Sequence, residues 1–241
     1  MKRIRILGYQ VDVRVQKIKK RTKIVTENNL QGSPPFKLNF GPGPNWVKPD
    51  GSWLSVDIEP EWGDIVVNFK DFEFLPLEDE SCLCVYGSHV FEHMSIFKTP
   101  LIFKEIYRVL KKGGVFRLIL PDVEKSIREY INQNEEFLLF KRRKERLKKK
   151  YRIDYTLFEC LRDDFISPSG QPDLLGKDAL AHQNAWDFET ICAHLEHAGF
   201  RADSIHKMGF QKSRVDYFNF EGTYPSEANE DYRSLYVEAV R

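Results

Sequence analysis

The sequence predicts an α/β fold built on a mostly parallel sheet, and three observations carry that prediction. Short apolar runs ended by Gly, Pro or Asp recur before any strong helical pattern. The stretch from Thr99 to Asp122 reads as a helix followed at once by a strand, the unit from which parallel sheets are made. A second amphipathic helix then precedes two closing apolar runs.

KLNF, ending at Phe40, is the first core strand, set off by Pro34-Pro35 before it and the GPGP turn after it. WLSVD, Trp53 to Asp57, is the second, and DIVVNF the third. CLCVYGS is a buried fourth strand. From Thr99, TPLIFKEIYRVL places Ile102, Phe103, Ile106, Val109 and Leu110 on one helical face, and Lys111-Lys112-Gly113-Gly114 is expected to stop that helix, with cations at the negative end of its dipole. VFRLILPD is the fifth strand. After Asp122 the chain turns polar and helical through Lys150 and then rich in turn residues at SPSGQPDLLG, so residues 124–184 are expected to be a helical insertion. WDFETICAHLEHAGF is a helix ending at Gly199, followed by strands over Phe200 to Met208 and Leu235 to Val240. Residues 1–35 form a basic N-terminal extension and residues 36–241 the domain proper.

With 241 residues, 41% hydrophobic and 30% charged, the chain is an ordinary globular composition able to bury a core, which excludes a disordered tail or fibre. A formal charge of +1 gives no global pull toward nucleic acid or an anionic membrane, so nucleic acid is not an expected partner. The charge is unevenly placed. Met1 to Lys23 holds nine Lys/Arg against Asp12 alone, Lys141 to Lys150 reads KRRKERLKKK, and from Asp154 onward sixteen Asp/Glu face eight Lys/Arg. The second run is either a solvated helix face or a contact with a phosphate-bearing substrate or membrane surface. Cys82, Cys84, Cys160 and Cys192 show no CxxC pair and read as free thiols in a reducing compartment, and no metal centre is expected. The basic start lacks the apolar stretch of a signal peptide, and no window approaches the ~20 apolar residues of a membrane span, so a cytoplasmic location is expected.

In a parallel sheet ligands bind beyond the carboxyl ends of the strands. The residues there are Asn39, Gly41 and Gly43 after the first strand, Asp57 after the second, Asp71 and Phe72 after the third, Ser88 and His89 after the fourth, and Asp122 after the fifth. A GxG turn lets backbone approach a ligand closely, and an acid ending the next strand can accept both hydrogens of a ribose diol, so the set describes a nucleoside site.

Taken in order, LNFGPGP, LSVDIEP, DFEFLPLEDES, YGSHVFEHM and EIYRVLKKGGVFRLILPD resemble the class I S-adenosylmethionine-dependent methyltransferases over about Phe36 to Asp122. The resemblance implies a Rossmann-like, seven-stranded, mostly parallel sheet with an antiparallel last strand and helices on both faces. It also implies S-adenosyl-L-methionine as cofactor, with Gly41 and Gly43 under the methionine moiety, Asp57 on the ribose hydroxyls and Asp71 with Phe72 at the adenine; Asn39 and Ser88 complete the cofactor set. Asn39 stands where the family usually has an acid, and Asn45 replaces the third small residue of the glycine loop. The short spacing from Gly41 to Asp57 leaves no room for the usual helix, and in this the chain resembles a branch of predicted methyltransferases associated with polysaccharide biosynthesis.

His89-Val90-Phe91-Glu92-His93 is also the HxxEH string of inverted zinc metallopeptidases, in which both histidines share a helix face. The methyltransferase pattern has a similar SHxxEH, in which Glu92 and His93 brace the site and His89 faces substrate. Where the acceptor of a methyl group is a hydroxyl, a base must take its proton, and a histidine near its ordinary pKa of about 6.5 suits that work. His89 or His182 is the candidate base, with Asp122 orienting it or binding substrate. Ser88-His89 replaces the NPPY-type turn used on nucleobases. The insertion offers Tyr130, Tyr151, Tyr155 and Phe158 beside its basic run, which suits a sugar or other small-molecule or glycan acceptor. The alternatives are a non-catalytic cofactor-binding or interaction protein on the same fold and a zinc-dependent hydrolase.

Overall fold

The computed structural model describes residues 22–24, 34–166, 181–222 and 229–241. The strands are β1 (Thr22–Ile24), β2 (Phe36–Phe40), β3 (Trp53–Asp57), β4 (Ile65–Val67), β5 (Cys82–Ser88), β6 (Leu110–Pro121), β7 (Ile205–Met208) and β8 (Ser234–Val240). They form one sheet in the order β1-β4-β3-β2-β5-β6-β8-β7. β4, β3, β2, β5 and β6 run parallel, while β8 is antiparallel to both β6 and β7. This is the expected seven-stranded sheet with its antiparallel last strand, and β1 adds an eighth, antiparallel on the edge beside β4. The rest of the basic extension before residue 34, and the turn-rich segment 167–176, lie outside the described residues.

Alternation along the strands sorts side chains onto two faces. Phe36, Leu38 and Phe40 of β2, Leu54 and Val56 of β3, Phe116, Leu118 and Leu120 of β6, and Leu235, Val237 and Ala239 of β8 join one core. It is closed by Ile102, Phe103 and Ile106 of helix α1 (Thr99–Val109) and by Ile191 and Leu195 of the helix at Phe188–Ala198. The opposite face holds Trp53, Cys84, Tyr86, Val115, Ile119 and Tyr236 beneath Trp46 and the 3₁₀ helix Asp216–Gly222. That face also buries a charge cluster. Arg117 of β6 is paired through Nη1 to Glu238 at 2.9 Å and through Nε and Nη2 to Glu221, with the Nη2 bond at 2.8 Å, and all three side chains are sealed from solvent.

Three element boundaries differ from the sequence reading, one of them the strand expected over Phe200 to Met208, which starts only at Ile205 after a 3₁₀ turn at Ala202–Ser204. α1 ends at Val109, where Leu110 is already extended, and Lys111 to Gly114 belong to β6, not to a helix stop. The cation at the end of α1 is Arg108, which bonds Glu105 of the same helix. The third strand is shorter than DIVVNF, because Asn68 caps a 3₁₀ turn at Phe69–Asp71 by accepting the Lys70 N–H at 3.0 Å.

The insertion is helical as expected. Among the described residues it holds α2 (Val123–Ile131), α3 (Leu138–Tyr151) and α4 (Leu157–Phe165), and α5 (Phe188–Ala198) belongs to the main fold. It has a core of its own in Phe137, Leu139, Phe140, Leu157, Cys160 and Leu161, against which Tyr130 and Tyr155 pack. The basic run lies on α3, and five of its cations are paired within the molecule: Lys141 to Glu136, Arg142 to Glu230, Arg143 to Asp164, Lys144 to Glu135 and Lys148 to Asp154. Among the described residues no helix is long and apolar enough to cross a membrane. The four cysteines are unpaired, and Cys82 and Cys84 are core residues.

Removing the Arg117 guanidinium would leave Glu221 and Glu238 buried without a cation. Arg117→Ala is expected to lose about 3–5 kcal/mol of stability, read from the urea midpoint. A loss below about 1 kcal/mol, the range of an exposed pair, would show that water reaches the cluster.

Candidate functional site

Strand order reverses between β2 and β5, so the crevice beyond their carboxyl ends is where this topology places a ligand. The loop after β2 enters it without a helix, as the short spacing required. Gly41 and Gly43 both take left-handed backbone, with φ of +59° and +67°. Their surroundings differ. A Cβ on Gly41 would collide with the Val90 side chain at 2.3 Å, whereas nothing lies within 4 Å of one on Gly43. Gly41 is therefore needed for packing against the β5 loop, and Gly43 leaves open space above the crevice.

Asp57 ends β3 with 4% of its surface exposed. Its carboxylate accepts the Glu59 N–H at 3.0 Å and is also bonded by the N–H groups of Gly43 and Ile58. Burial outweighs these bonds and raises its pKa above the ordinary 3.8. Among the described residues Asn39, buried at the middle of the site, has no partner for its amide Nδ2, and Ser88 Oγ at the end of β5 is likewise buried without one. A buried donor without an acceptor is costly unless a ligand supplies the acceptor. An open glycine, a buried acid on an adjacent strand and an orphaned amide between them fit a polar nucleoside-bearing cofactor.

Asp71 and Phe72 are arranged differently from one another. Asp71 is exposed and accepts from Asn68 Nδ2 at 3.2 Å, while the Phe72 ring is buried in the core, so only its backbone faces outward chemistry. The Phe72 carbonyl accepts from Lys98 Nζ at 3.3 Å.

Beyond β5, His89 takes left-handed backbone with φ of +49°, which swings its ring back over the sheet. Its Nε2 lies 2.9 Å from Ser234 Oγ on β8 and its Nδ1 lies 3.4 Å from Glu92 Oε1. HxxEH does not form a helix-borne histidine pair: Phe91–His93 is a single 3₁₀ turn, and the two histidines flank Glu92 from different sides. Glu92 is 1% exposed. Burial alone would raise its pKa, but the His89 hydrogen bond and the potentials of His89, His93 and His182 outweigh burial and hold it below the ordinary carboxylate range.

The returning end of the insertion closes over this carboxylate. The N–H groups of Gln183 and Asn184 donate to the Glu92 carbonyl at 2.8 and 3.1 Å, and Gln183 Nε2 donates to the His93 carbonyl. His182 stacks edge-on against His93 at 4.9 Å, and burial lowers its pKa. The structure thus unites His89 and His182 around Glu92. It does not bring Asp122 to either: that carboxylate accepts the Lys125 N–H at 3.0 Å as the cap of α2, and among the described residues it bonds neither histidine. Ser234 was not legible as a site residue, because its contact to His89 spans the chain and no local motif marks it.

A cavity of about 620 Å³ opens beside Gly43, lined by Trp46, Lys48, Trp62 and Asp64 among others. It shares only Gly43 with the expected cofactor residues.

Residues 55–118, from β3 into β6, match the methyltransferase domain family. The matched segment runs through the strands that flank the crevice, and it is to methyltransferase domains that this part of the chain is similar. No curated protein matches. Among solved structures, a chain from the complex between the Haloferax volcanii Trm112 methyltransferase activator and the putative methyltransferase is 17% identical, with 100% of this chain and 99% of that chain covered and a TM-score of 0.44. A SAM-dependent methyltransferase from Archaeoglobus fulgidus is 14% identical over 97% of this chain and 94% of that chain, with a TM-score of 0.46. One from Mesorhizobium loti is 14% identical over 88% and 92%, also at 0.46.

Because folding raises the Asp57 pKa, this group adds stability only while protonated, below its ordinary value, and that contribution is lost as pH climbs through the raised value. Asp57→Asn carries no charge at any pH. It is expected to unfold at a higher urea concentration than the wild type near pH 7, with the gap closing below about pH 4. Equal midpoints at both pH values would mean that the three N–H groups compensate burial in full.

Proposed function

We propose that the chain transfers a methyl group from S-adenosylmethionine to a hydroxyl of a sugar, a glycan intermediate or another small molecule. The observation that carries this reading is the buried Asp57 carboxylate bonded to the Gly43 N–H, beside the unpartnered amide of Asn39. When bound, S-adenosylmethionine supplies a methyl group on a positively charged sulfur. Asp57 is assigned to the ribose hydroxyls and Gly43 to the close approach of backbone. Asn39 and Ser88 are assigned to polar groups of the same cofactor, and Asp71 with the Phe72 backbone to the adenine edge.

The acceptor is assigned to the neighbouring cluster beyond β5, where Glu92, His89, His93 and His182 gather groups able to hold a hydroxyl and take its proton. His89 and His182 are the candidate bases, and Asp122 serves by fixing the start of α2 or by meeting the acceptor. A carboxylate and imidazoles suit a hydroxyl nucleophile, which is neutral at pH 7 and must lose a proton. A place in polysaccharide biosynthesis rests on the SHxxEH and LNxGxGP patterns, and a cytoplasmic location on the free buried thiols.

Calorimetric titration with S-adenosylmethionine and S-adenosylhomocysteine tests the first half. The expected result is micromolar binding, weakened at least about tenfold by Asp57→Ala, the worth of a hydrogen bond to a charged group, with no binding of NAD. No binding of either ligand by the wild type would favour the non-catalytic reading of the fold.

A further inference from the structure

We propose that Glu92, His93 and His182 form a binding site for one divalent transition-metal cation. One ligand atom from each of the three lies within 4.8 Å of the others, and Glu92 Oε1 is 4.0 Å from His93 Nε2. Donors around a bound cation with bonds of about 2.0–2.2 Å stand about 3–3.5 Å apart, so the cluster closes by about 1 Å on loading.

Two features distinguish this cluster from a chance gathering of polar groups. The first is proton placement. His93 Nδ1 lies 3.3 Å from the Ala181 carbonyl and His182 Nδ1 lies 2.8 Å from the Asp164 carbonyl. A carbonyl can only accept, so each ring carries its proton on Nδ1, and Nε2 of each is the nitrogen with a free lone pair. A backbone acceptor on the far nitrogen is how proteins orient metal-binding imidazoles. The second is Glu92 itself: at 1% exposure its Oε2 has no hydrogen-bond partner among the described residues, while Oε1, the oxygen nearest His93, also faces His89. A carboxylate oxygen and two imidazole lone pairs thus converge, the carboxylate buried and the two imidazoles partly exposed, and a cation is the group that satisfies all three.

Donor chemistry sets the class of ion. One carboxylate with two imidazoles is the donor set of zinc, iron and manganese sites, whereas magnesium and calcium favour oxygen alone. Three protein ligands leave at least one position open for substrate. The site differs from the HxxEH metallopeptidase arrangement, since His89 turns away to Ser234 and supports the other flank of Glu92, while the third ligand comes from the far end of the insertion. Resting on the methyl-transfer reading, the open position takes the acceptor hydroxyl. Its proton passes to water, and the freed oxygen pair forms the O–CH3 bond as the S–CH3 bond breaks and its pair leaves on the sulfur of S-adenosylhomocysteine. With the cation bound, His182 is a ligand in place of the base role it has in the metal-free reading.

The test titrates the full-length, tag-free, EDTA-treated chain with Zn²⁺ and with Co²⁺, reading heat and the visible Co²⁺ spectrum. The expected result is one equivalent bound, with affinity at least tenfold weaker in Glu92→Gln and in His182→Ala and unchanged in His197→Ala, an exposed histidine on α5. Weak or superstoichiometric binding by the wild type, or equal binding by all variants, would overturn the site. Should the variants fail to fold, X-ray absorption of the zinc-loaded wild type decides: two imidazoles and a carboxylate support the assignment, and any other donor set overturns it. S-adenosylmethionine titrated separately into the metal-free chain distinguishes loss of this site from loss of the methyltransferase reading, since cation binding can fail while cofactor binding persists, and the reverse.

Discussion

Placing the Glu92 carboxylate at 1% exposure costs several kcal/mol unless opposite charge or hydrogen-bond donors replace the water it gives up, and much of the local architecture answers that demand. His89 adopts left-handed backbone, a conformation that few residues other than glycine take, and so presents Nδ1 to one flank of the carboxylate. Its other nitrogen reaches Ser234, which fixes the start of β8 against the end of β5. The opposite flank recruits His93 and, through it, residues 181–184 of the returning insertion. One buried acid thereby ties the central strand, the last strand and the insertion to a single point.

The sheet makes this possible by keeping its two faces chemically separate. The α1 and α5 side is apolar throughout, whereas the other side carries Asn39, Ser55 and Asp57 along β2 and β3 and Arg117 with Glu238 farther across. Period-two alternation means that any strand able to present Asp57 at its end must present Ser55 two residues earlier on the same side. Ser55 is satisfied there by Asp64, whose carboxylate accepts its N–H and its hydroxyl at 2.7 and 2.8 Å. Arg117 neutralises the remaining buried acids and packs its guanidinium against Phe218 and Tyr236. Polar strand residues are thus paired away from the crevice, and Asn39 and Ser88 at its edge keep side-chain atoms without partners among the described residues.

Local chemistry made the sheet legible. Gly, Pro and Asp at strand ends and the apolar stripe of α1 are short-range signals, and they located the parallel strands and the crevice. The end of α1 was misplaced because a strand begins directly at Leu110, so that Lys111 to Gly114 imitate a helix stop while lying in β6. β1 escaped because three residues of edge pairing leave no periodicity to read. Long-range pairings were illegible for a different reason: Arg117 with Glu221 and Glu238, His89 with Ser234, and His182 with Glu92 depend on topology, and no spacing rule spans such separations. Asp122 shows a converse ambiguity. An acid at a strand end reads as a ligand-binding group, yet the same residue is an efficient helix cap, and here it bonds Lys125.

The two halves of the crevice are consequently built from different parts of the chain. Gly43, Asn39 and Asp57 come from one short contiguous stretch, bonded through backbone, so their geometry is set as soon as β2 and β3 pair. Glu92, His93 and His182 meet only after the insertion has folded on its own core and returned to the sheet. A site divided in this way lets the insertion vary without disturbing the nucleoside side, because the bonds from residues 183 and 184 run to the Glu92 backbone and not to β2 or β3. The proposed acceptor side thus draws on the segment least constrained by the sheet, where Asp164 of α4 holds His182 by its carbonyl and Arg143 of α3 by its carboxylate.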